Sequence, residues 1–322
     1  MPTSRSQVPR VSVLMPMKNA ARYVRDAITS VLVQDFGSLE LIVIDDGSTD
    51  GSREIVEALR DPRVRLLAGP RRGVSAAWNE AFERSSGDIV MQCDADDLYP
   101  PGRVASQIRL LDRFSNVGAV CSGFATIDRR GALVAELGQE RSGPEDITEE
   151  LLAGETRTHL CTFATRRPYL VAIGGKRDYF ESAEDVDLQL RIAEVCRVRY
   201  EPASWYRYRL HDGSLTHTQA STRRIFFEQY ARDLRAQRAR GEPDDLQRGQ
   251  PRSPPSEATP PDRSGPQLRG MLLGDAWRKH ARGEKLAALA TGVRALASAP
   301  TDASIWRSVA ALVVKPAGVR ER

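Results

Sequence analysis

The sequence has little sulfur and none of it is paired. Its four cysteines, Cys93, Cys121, Cys161 and Cys196, are widely spaced and form no CxxC pair. Structural zinc sites and disulfide frameworks need ligand pairs at short or regular spacing, so these residues read as reduced core side chains. Long hydrophobic runs are also missing. A membrane span needs about 20 consecutive apolar residues, and the longest candidates, such as Val309 to Val314, are far shorter. The first ten residues, Met1 to Arg10, are polar and lack the apolar core of a signal peptide. A cytoplasmic protein is expected, at most peripheral on the inner membrane face. Charge of one sign is scarce too. The net charge is +4 over 322 residues, with a pI near 9.0. That is too mild for a dedicated nucleic-acid binder, so no nucleic-acid partner is expected. With 41% hydrophobic and 28% charged residues, the composition is that of a globular chain forming one large domain or two smaller ones.

Against this background, the acidic clusters stand out. Asp94-Ala95-Asp96-Asp97 directly follows the short apolar run Ile89 to Cys93, which reads as a buried strand. A second apolar run, Leu39 to Ile44, is broken only by Glu40 and ends in Asp45-Asp46-Gly47-Ser48. Helical spacing follows a first strand, Val11 to Pro16, through Val24, Ala27, Ile28, Val31 and Leu32, with Asn19 as a candidate N-cap. Gly51 to Arg60 and Val74 to Arg84 read as further helices, and Val64 to Leu67 as a further strand. Strands alternating with helices over short connections predict a Rossmann-like, doubly wound, mostly parallel α/β sheet. In such a sheet, strand ends share one edge, and ligands bind there. Carboxylates gathered at that edge repel one another unless a cation sits among them, and hard divalent cations take oxygen ligands and share them with diphosphates.

The second half is predicted to mix strand and helix. Arg103 to Phe114 and Ile225 to Leu234 have helical periodicity, as does the stretch after Ser182. Val117 to Ile127, Ala132 to Leu137, Thr158 to Thr165 and Tyr200 to Leu210 read as strands. Between Pro243 and Pro266 lie seven of the 19 prolines and almost no large apolar residues. Such a segment lacks apolar surface to bury, so a flexible linker is expected over 241–267. The predicted organisation is a disordered tail over 1–7, a main domain over 8–240 split at about residue 100, the linker, and a helical region over 268–322. That last region carries Trp277, Trp306 and several lysines and arginines, and either packs as an appendage or rests on anionic lipid.

The run Val11 to Pro16, the run Val43-Ile44-Asp45-Asp46-Gly47-Ser48-Thr49-Asp50-Gly51-Ser52, the Asp94 to Asp97 cluster and the late Glu184-Asp185 together resemble family 2 glycosyltransferases. The likeness covers about residues 8 to 235, in order and spacing. It implies the GT-A fold, a divalent cation (Mn²⁺ or Mg²⁺), a nucleotide-sugar donor with a UDP-sugar favoured, a glycan or lipid-linked glycan as acceptor, and transfer with inversion. Carried over by position, Asp46 resembles the carboxylate that bonds the nucleotide base, with Pro16 and Lys18 in the same pocket. Asn19, Asp45 and Ala95 accompany them on the donor side. Asp94 resembles the acid nearest the ribose, and Asp96 the metal ligand, with Asp97 and His211 as further metal candidates. Asp185 resembles the catalytic base, with Glu184 beside it.

The chemistry agrees with this likeness. A cation at Asp96 would offset the charge on a departing diphosphate. A carboxylate in reach of an acceptor hydroxyl can take its proton. One departure is plain: the family's Ala-Arg-Asn is here Ala77-Trp78-Asn79, so Trp78 either stacks on the base or packs, and Arg71 or Arg72 are candidates to replace the lost cation. Competing classes remain in view. A haloacid-type phosphatase would need a Thr or Val where Leu98 stands and a downstream lysine, and no lysine occurs from Asp94 through Gly175. A non-catalytic nucleotide-sugar-binding protein on the same fold and a polyprenyl-phosphate sugar synthase are the alternatives. A processive polysaccharide synthase is disfavoured, because there is no membrane span and no Gln-x-x-Arg-Trp motif.

Overall fold

A computed structural model describes residues 9–137, 143–214, 221–256 and 264–318. These fall into two compact units. The first holds 9–124, 143–208 and 222–256, and the second holds 125–137, 209–214, 221 and 264–318.

The first unit opens with β1 (Val11–Met17), α1 (Val24–Leu32), β2 (Leu39–Asp45), α2 (Ser52–Glu57), β3 (Val64–Ala68), α3 (Val74–Arg84) and β4 (Ile89–Gln92). This is the predicted alternation. Strands β1 and β2 are buried almost throughout, which is why their sequence is continuously apolar rather than alternating. The one acid inside β2, Glu40, is 8% exposed. It accepts hydrogen bonds from Ser12 Oγ at 2.7 Å and from the Ser86 backbone N–H at 2.7 Å, so its charge is solvated by the protein. β1 is paired in parallel with β2 on one side and with β4 on the other. Met17 stands opposite Asp45, and Leu14 opposite Gln92. The acids that follow β2 and β4 therefore leave the sheet at one edge, on either side of β1. That is the point where strand order reverses, the usual ligand position in such sheets.

Beyond β4 the sheet turns mixed. The chain continues through α4 (Arg103–Arg113), β5 (Val117–Ile127), β6 (Leu133–Glu136), β7 (Glu145–Asp146) and α5 (Thr148–Leu152). A 3₁₀ turn over Leu160–Thr162 leads to β8 (Ala164–Arg166), α6 (Arg167–Ala172), α7 (Glu184–Val195), β9 (Arg197–Arg209) and α8 (Ser221–Ala239). Strand order is β3-β2-β1-β4-β8-β5-β9-β7, with β8 antiparallel to both β4 and β5. The expected strand over Thr158 to Thr165 is thus strand only at its end, with a 3₁₀ turn over Leu160–Thr162 in its middle. Helix α3 packs on β1 and β2, and α7 on α5 and α6. Burying one side chain such as Ile42 or Leu190, both fully buried, contributes about 1.5–3 kcal/mol. Cys93, Cys121 and Cys161 are buried within this unit.

The second unit is built on the end of β5, where Ala125 to Ile127 pair with β6. It also holds three helices, α9 (Ser264–Ala281), α10 (Lys285–Ser298) and α11 (Ala303–Val314). Arg278 donates to the Glu136 carbonyl, which ties α9 to β6. The expected helical region is present, but the unit also claims a hairpin from mid-chain that the linear domain boundaries missed.

The expected linker needs correction. Residues 242–256 are held by the first unit through polar contacts. Asp244, fully buried, pairs with Arg177 at 2.8 Å and with Arg238. The Asp245 carboxylate is 3.2 Å from Tyr230 Oη, the Arg252 N–H donates to that hydroxyl at 3.1 Å, and the Arg252 guanidinium reaches Asp233 at 2.6 Å. Apolar content was the wrong measure for a segment anchored by charge. The expected tail over 1–7 and the stretch 257–263 lie outside the described residues.

Candidate active site

The loop after β2 is a closed hydrogen-bond network. Asp45 caps it by accepting from Ser48 N–H at 2.9 Å. Asp46, 5% exposed, accepts from the backbone N–H groups of Arg71 at 2.5 Å and Gly73 at 3.0 Å. The approach is close enough to need glycine at 69, where a Cβ would lie 2.8 Å from Asp46 Oδ1. Asn19 was read as a helix cap. It is instead a left-handed residue, φ 53°, that ties the β1 loop to the β2 loop by donating to Ser48 Oγ at 3.0 Å and accepting from Thr49 N–H at 2.9 Å. Pro16 is half-buried and Lys18 exposed at the same edge. The predicted donor-side residues after β1 and β2 thus come together.

The loop after β4 is split between outside and inside. Asp94 and Asp96 are half-buried, whereas Ala95 and Asp97 face inward, Asp97 at 1% exposure. Asp94 accepts from Gln92 Nε2 at 2.6 Å, and its backbone N–H donates to Tyr206 Oη at 3.1 Å. Desolvation, then the charge of Asp96, push the Asp94 carboxyl up to about 6. A half-buried carboxyl held up by burial and by a second carboxylate beside it suits a hard divalent cation, which would offset that penalty. Asp97 acts inward. Its charge, after desolvation, raises the Cys93 thiol, and the buried Arg103 opposes it. Among the described residues no three His, Cys, Asp or Glu side chains form a ready-made metal cage. His211 lies in the second unit, heading a turn closed by the Ser214 N–H on its carbonyl at 3.2 Å.

Helix α7 brings the late acids. Ala183, left-handed at φ 58°, turns the chain into it. Asp187 is fully buried and paired with Arg191 at 2.8 Å. Glu184 is buried and lies 3.4 Å from the ammonium of Lys176. Burial raises the Glu184 pKa, and the Lys176 charge opposes this. Asp185 alone of the three is half-exposed. The charges of Glu184 and Lys176 both act on Asp94.

Trp78 does not line the open edge. It is 3% exposed, stacks on Phe82 at 5.3 Å and faces the Lys176 ammonium at 5.6 Å. Of the two readings of Trp78, the structure gives packing. Neither Arg71 nor Arg72 replaces the lost arginine inside. The Arg71 backbone serves Asp46, and Arg72 reaches Asp178 at 3.7 Å with 68% of its side chain exposed. The buried cation here is Lys176, with a side chain 0% exposed. Asn79 clamps its backbone, accepting from Lys176 N–H and donating to its carbonyl, both at 2.9 Å.

Sequence reasoning missed Lys176, although a signal existed. Only five of the 47 basic residues are lysine, and this one follows Gly174-Gly175. It also missed His159, which is exposed, stacks on Tyr208 at 5.4 Å and meets the edge of Phe124 at 4.7 Å. Desolvation of the imidazole between the Phe124 and Tyr208 rings, although the residue as a whole is exposed, holds its pKa below the usual histidine value, and the Asp185 carboxylate pulls the other way.

A parallel half-sheet with acid-tipped strands, joined to an antiparallel half, defines a GT-A transferase fold. The model of glycosyl transferase family 2 matches residues 12–181, over half of the chain, and the chain belongs to that family. It is 28% identical over 208 residues to a hyaluronan synthase of Pasteurella multocida, covering 64% of this chain and 21% of that protein. A chondroitin synthase of Escherichia coli is 28% identical over 207 residues, covering 64% and 29%. The chain thus spans less than a third of these relatives' length. Among solved structures, S. aureus TarS 1-349 in complex with UDP-GlcNAc superposes with a TM-score of 0.60 at 18% identity, covering 71% of this chain and 66% of that one. A mannosyltransferase from Pyrobaculum calidifontis in complex with GDP-Man and Mn²⁺ gives 0.55 at 23% identity, covering 96% and 82%. These structural likenesses carry the fold.

Proposed function

We propose that the protein transfers a sugar, with inversion, from a nucleotide-diphosphate donor to a hydroxyl of a glycan or lipid-linked glycan acceptor, in polysaccharide or glycoconjugate synthesis. One observation carries this reading. The acids after β2 and β4 leave the sheet at one edge on either side of β1, the charges of Glu184 and Lys176 reach Asp94, and Asp185 is the half-exposed acid of its helix turn, which supports this reading. UDP-sugars are the favoured donors, as in one structural neighbour; another binds GDP-Man. Pro16, Lys18 and the Asp46 loop form the nucleotide side. Asp94 lies toward the ribose. Asp96 would hold a divalent cation, Mn²⁺ or Mg²⁺; Asp97, buried and turned inward, is not placed to share it, and His211 belongs to the second unit. When bound, the cation supplies electrostatic stabilisation of the leaving diphosphate. Asp185 takes the proton of the acceptor hydroxyl on the face away from the diphosphate. Lys176 holds the adjacent Glu184 at 3.4 Å.

Asp185→Asn keeps the shape and removes the proton acceptor. The kcat should fall by roughly 10²–10⁴-fold, the range of general-base catalysis, with donor affinity within a few-fold. Proton NMR of the first turnover should show inverted anomeric configuration. Retention, or a near-normal rate in Asp185→Asn, would assign the base elsewhere.

A further inference from the structure

The second unit ends in two packed helices whose outward faces are apolar. Helix α10 buries Ala288, Thr291, Gly292, Ala295 and Leu296, and α11 buries Ile305, Val309 and Leu312. They meet closely: a Cβ at Gly292 would lie 3.1 Å from Val309 and 3.3 Å from Leu312. The remaining faces point to solvent. On α10, exposed Leu286, Ala290, Val293 and Ala297 recur at helical spacing. On α11, exposed Trp306, Ala310 and Val313 do the same. Leu286 is 85%, Val293 58%, Trp306 55% and Val314 82% exposed. Of ten large hydrophobic residues exposed among the described residues, five lie on these two helices. A helix apolar all round is ordinarily covered on every side, and exposed apolar surface concentrated in this way marks a contact face.

The charge around this surface says what covers it. Within 285–314 the two helices and their connection carry Lys285, Arg294 and Arg307 against one carboxylate, Asp302, while Arg278, Lys279 and Arg282 before them are paired with Asp275 and Glu284. Arg294 and Arg307 are exposed directly beside Val293 and Trp306. Basic flanks on an apolar stripe with an indole are the composition of a helix lying in a lipid interface. Spanning is excluded for these helices, since no described helix is long and apolar enough to cross a membrane.

We infer that the outward faces of α10 and α11 seat the protein on an anionic membrane surface, apolar side chains entering between the headgroups and the arginines meeting lipid phosphates. The inference does not depend on the proposed transfer reaction and is compatible with any acceptor. A neutral bilayer would forgo the electrostatic part, and each basic residue at an anionic surface strengthens binding about fivefold.

The test is co-sedimentation of the full chain with phosphatidylglycerol–phosphatidylcholine vesicles and with phosphatidylcholine alone. Binding should favour the anionic vesicles and weaken with salt. Bromolipids should quench tryptophan emission in the wild type and much less in Trp306→Phe. Val293→Asp/Val313→Asp changes only exposed positions and should lose about tenfold or more in vesicle affinity with an unchanged melting temperature. Arg294→Gln/Arg307→Gln should weaken binding to anionic vesicles and abolish the salt dependence in part. Equal binding of the wild type and both double variants would overturn the inference. So would absence of vesicle binding, including the case where the wild type forms a dimer that Val293→Asp/Val313→Asp prevents, which would assign the face to a second copy.

Discussion

At the scale of single residues, the candidate site depends on one buried cation. Lys176 is enclosed by Glu184, Trp78 and the clamp from Asn79. Its position is fixed by backbone as much as by charge. Gly175 adopts φ +68°, and a Cβ there would meet Asn79 Oδ1 at 2.6 Å, so only glycine lets the chain bring Lys176 under the acids. A buried ion pair that loses one partner typically costs 3–5 kcal/mol, because the other charge is left unsolvated. Lys176→Met should therefore destabilise the protein by about 3 kcal/mol and raise the Glu184 pKa further, since burial already pushes it up and the ammonium opposes that. Lys176→Met/Glu184→Gln should recover most of the loss, because the orphaned carboxylate is gone. Urea unfolding of the two single variants and the double measures the coupling directly. Additive effects in that cycle would mean that the pair makes no mutual contribution.

At the scale of elements, the same contrast between apolar and polar anchoring decides what could be read in advance. Strands β1, β2 and β4 were legible because each is a nearly continuous apolar run of the kind a buried parallel strand requires, and the acids after β2 and β4 marked the candidate site's edge. Helix α7 was legible from its apolar period, whereas Asp185 was singled out only by the family resemblance. The segment 242–256 was not legible, because its order comes from partners remote in sequence: Arg177 and Arg238 for Asp244, and Tyr230 and Asp233 for Arg252. No local pattern announces such contacts. Trp78 and Lys176 lie almost 100 residues apart, and only the fold shows that the aromatic and the cation face each other. Hydrogen bonds and the two guanidinium groups hold the Asp244 carboxyl below its ordinary pKa, against the effect of burial. A carboxyl with a depressed folded-state pKa contributes stability above its unfolded value, about 4, and that contribution is lost as pH falls through the folded value. Asp244→Asn should thus be clearly less stable than wild type at pH 7, and the gap should close as pH is lowered below about 4. Limited proteolysis at pH 7 should spare 243–254 in the wild type and cut there in the variant. Cleavage of that segment in the wild type at the variant's rate would show that the ion pairs do not hold it.

At the scale of the whole molecule, the two units should answer the substrate differently. A ligand that binds only the folded state stabilises it by an amount set by its concentration over its dissociation constant, about 2.7 kcal/mol at a hundredfold excess. The acids of the proposed donor site are on the first unit's sheet edge, and the apolar faces of α10 and α11 belong to the second. Donor sugar with Mn²⁺ should slow amide exchange in the loops after β2 and β4 and in residues 71–73. It should leave the exposed turns of α10 and α11 unchanged. Cation and donor should act together, because each offsets the other's charge: the acids repel a lone diphosphate, and Asp94 beside Asp96 already resists full ionisation. Donor alone in chelator should therefore protect little. Asp96→Ala should remove the response to Mn²⁺ while keeping the fold, since its side chain is half-exposed. Hydrogen exchange read by mass spectrometry on both proteins gives the answer loop by loop. Equal protection with and without the cation would remove the metal from the proposed mechanism. Protection confined to the second unit would move the donor away from the acid-tipped edge altogether.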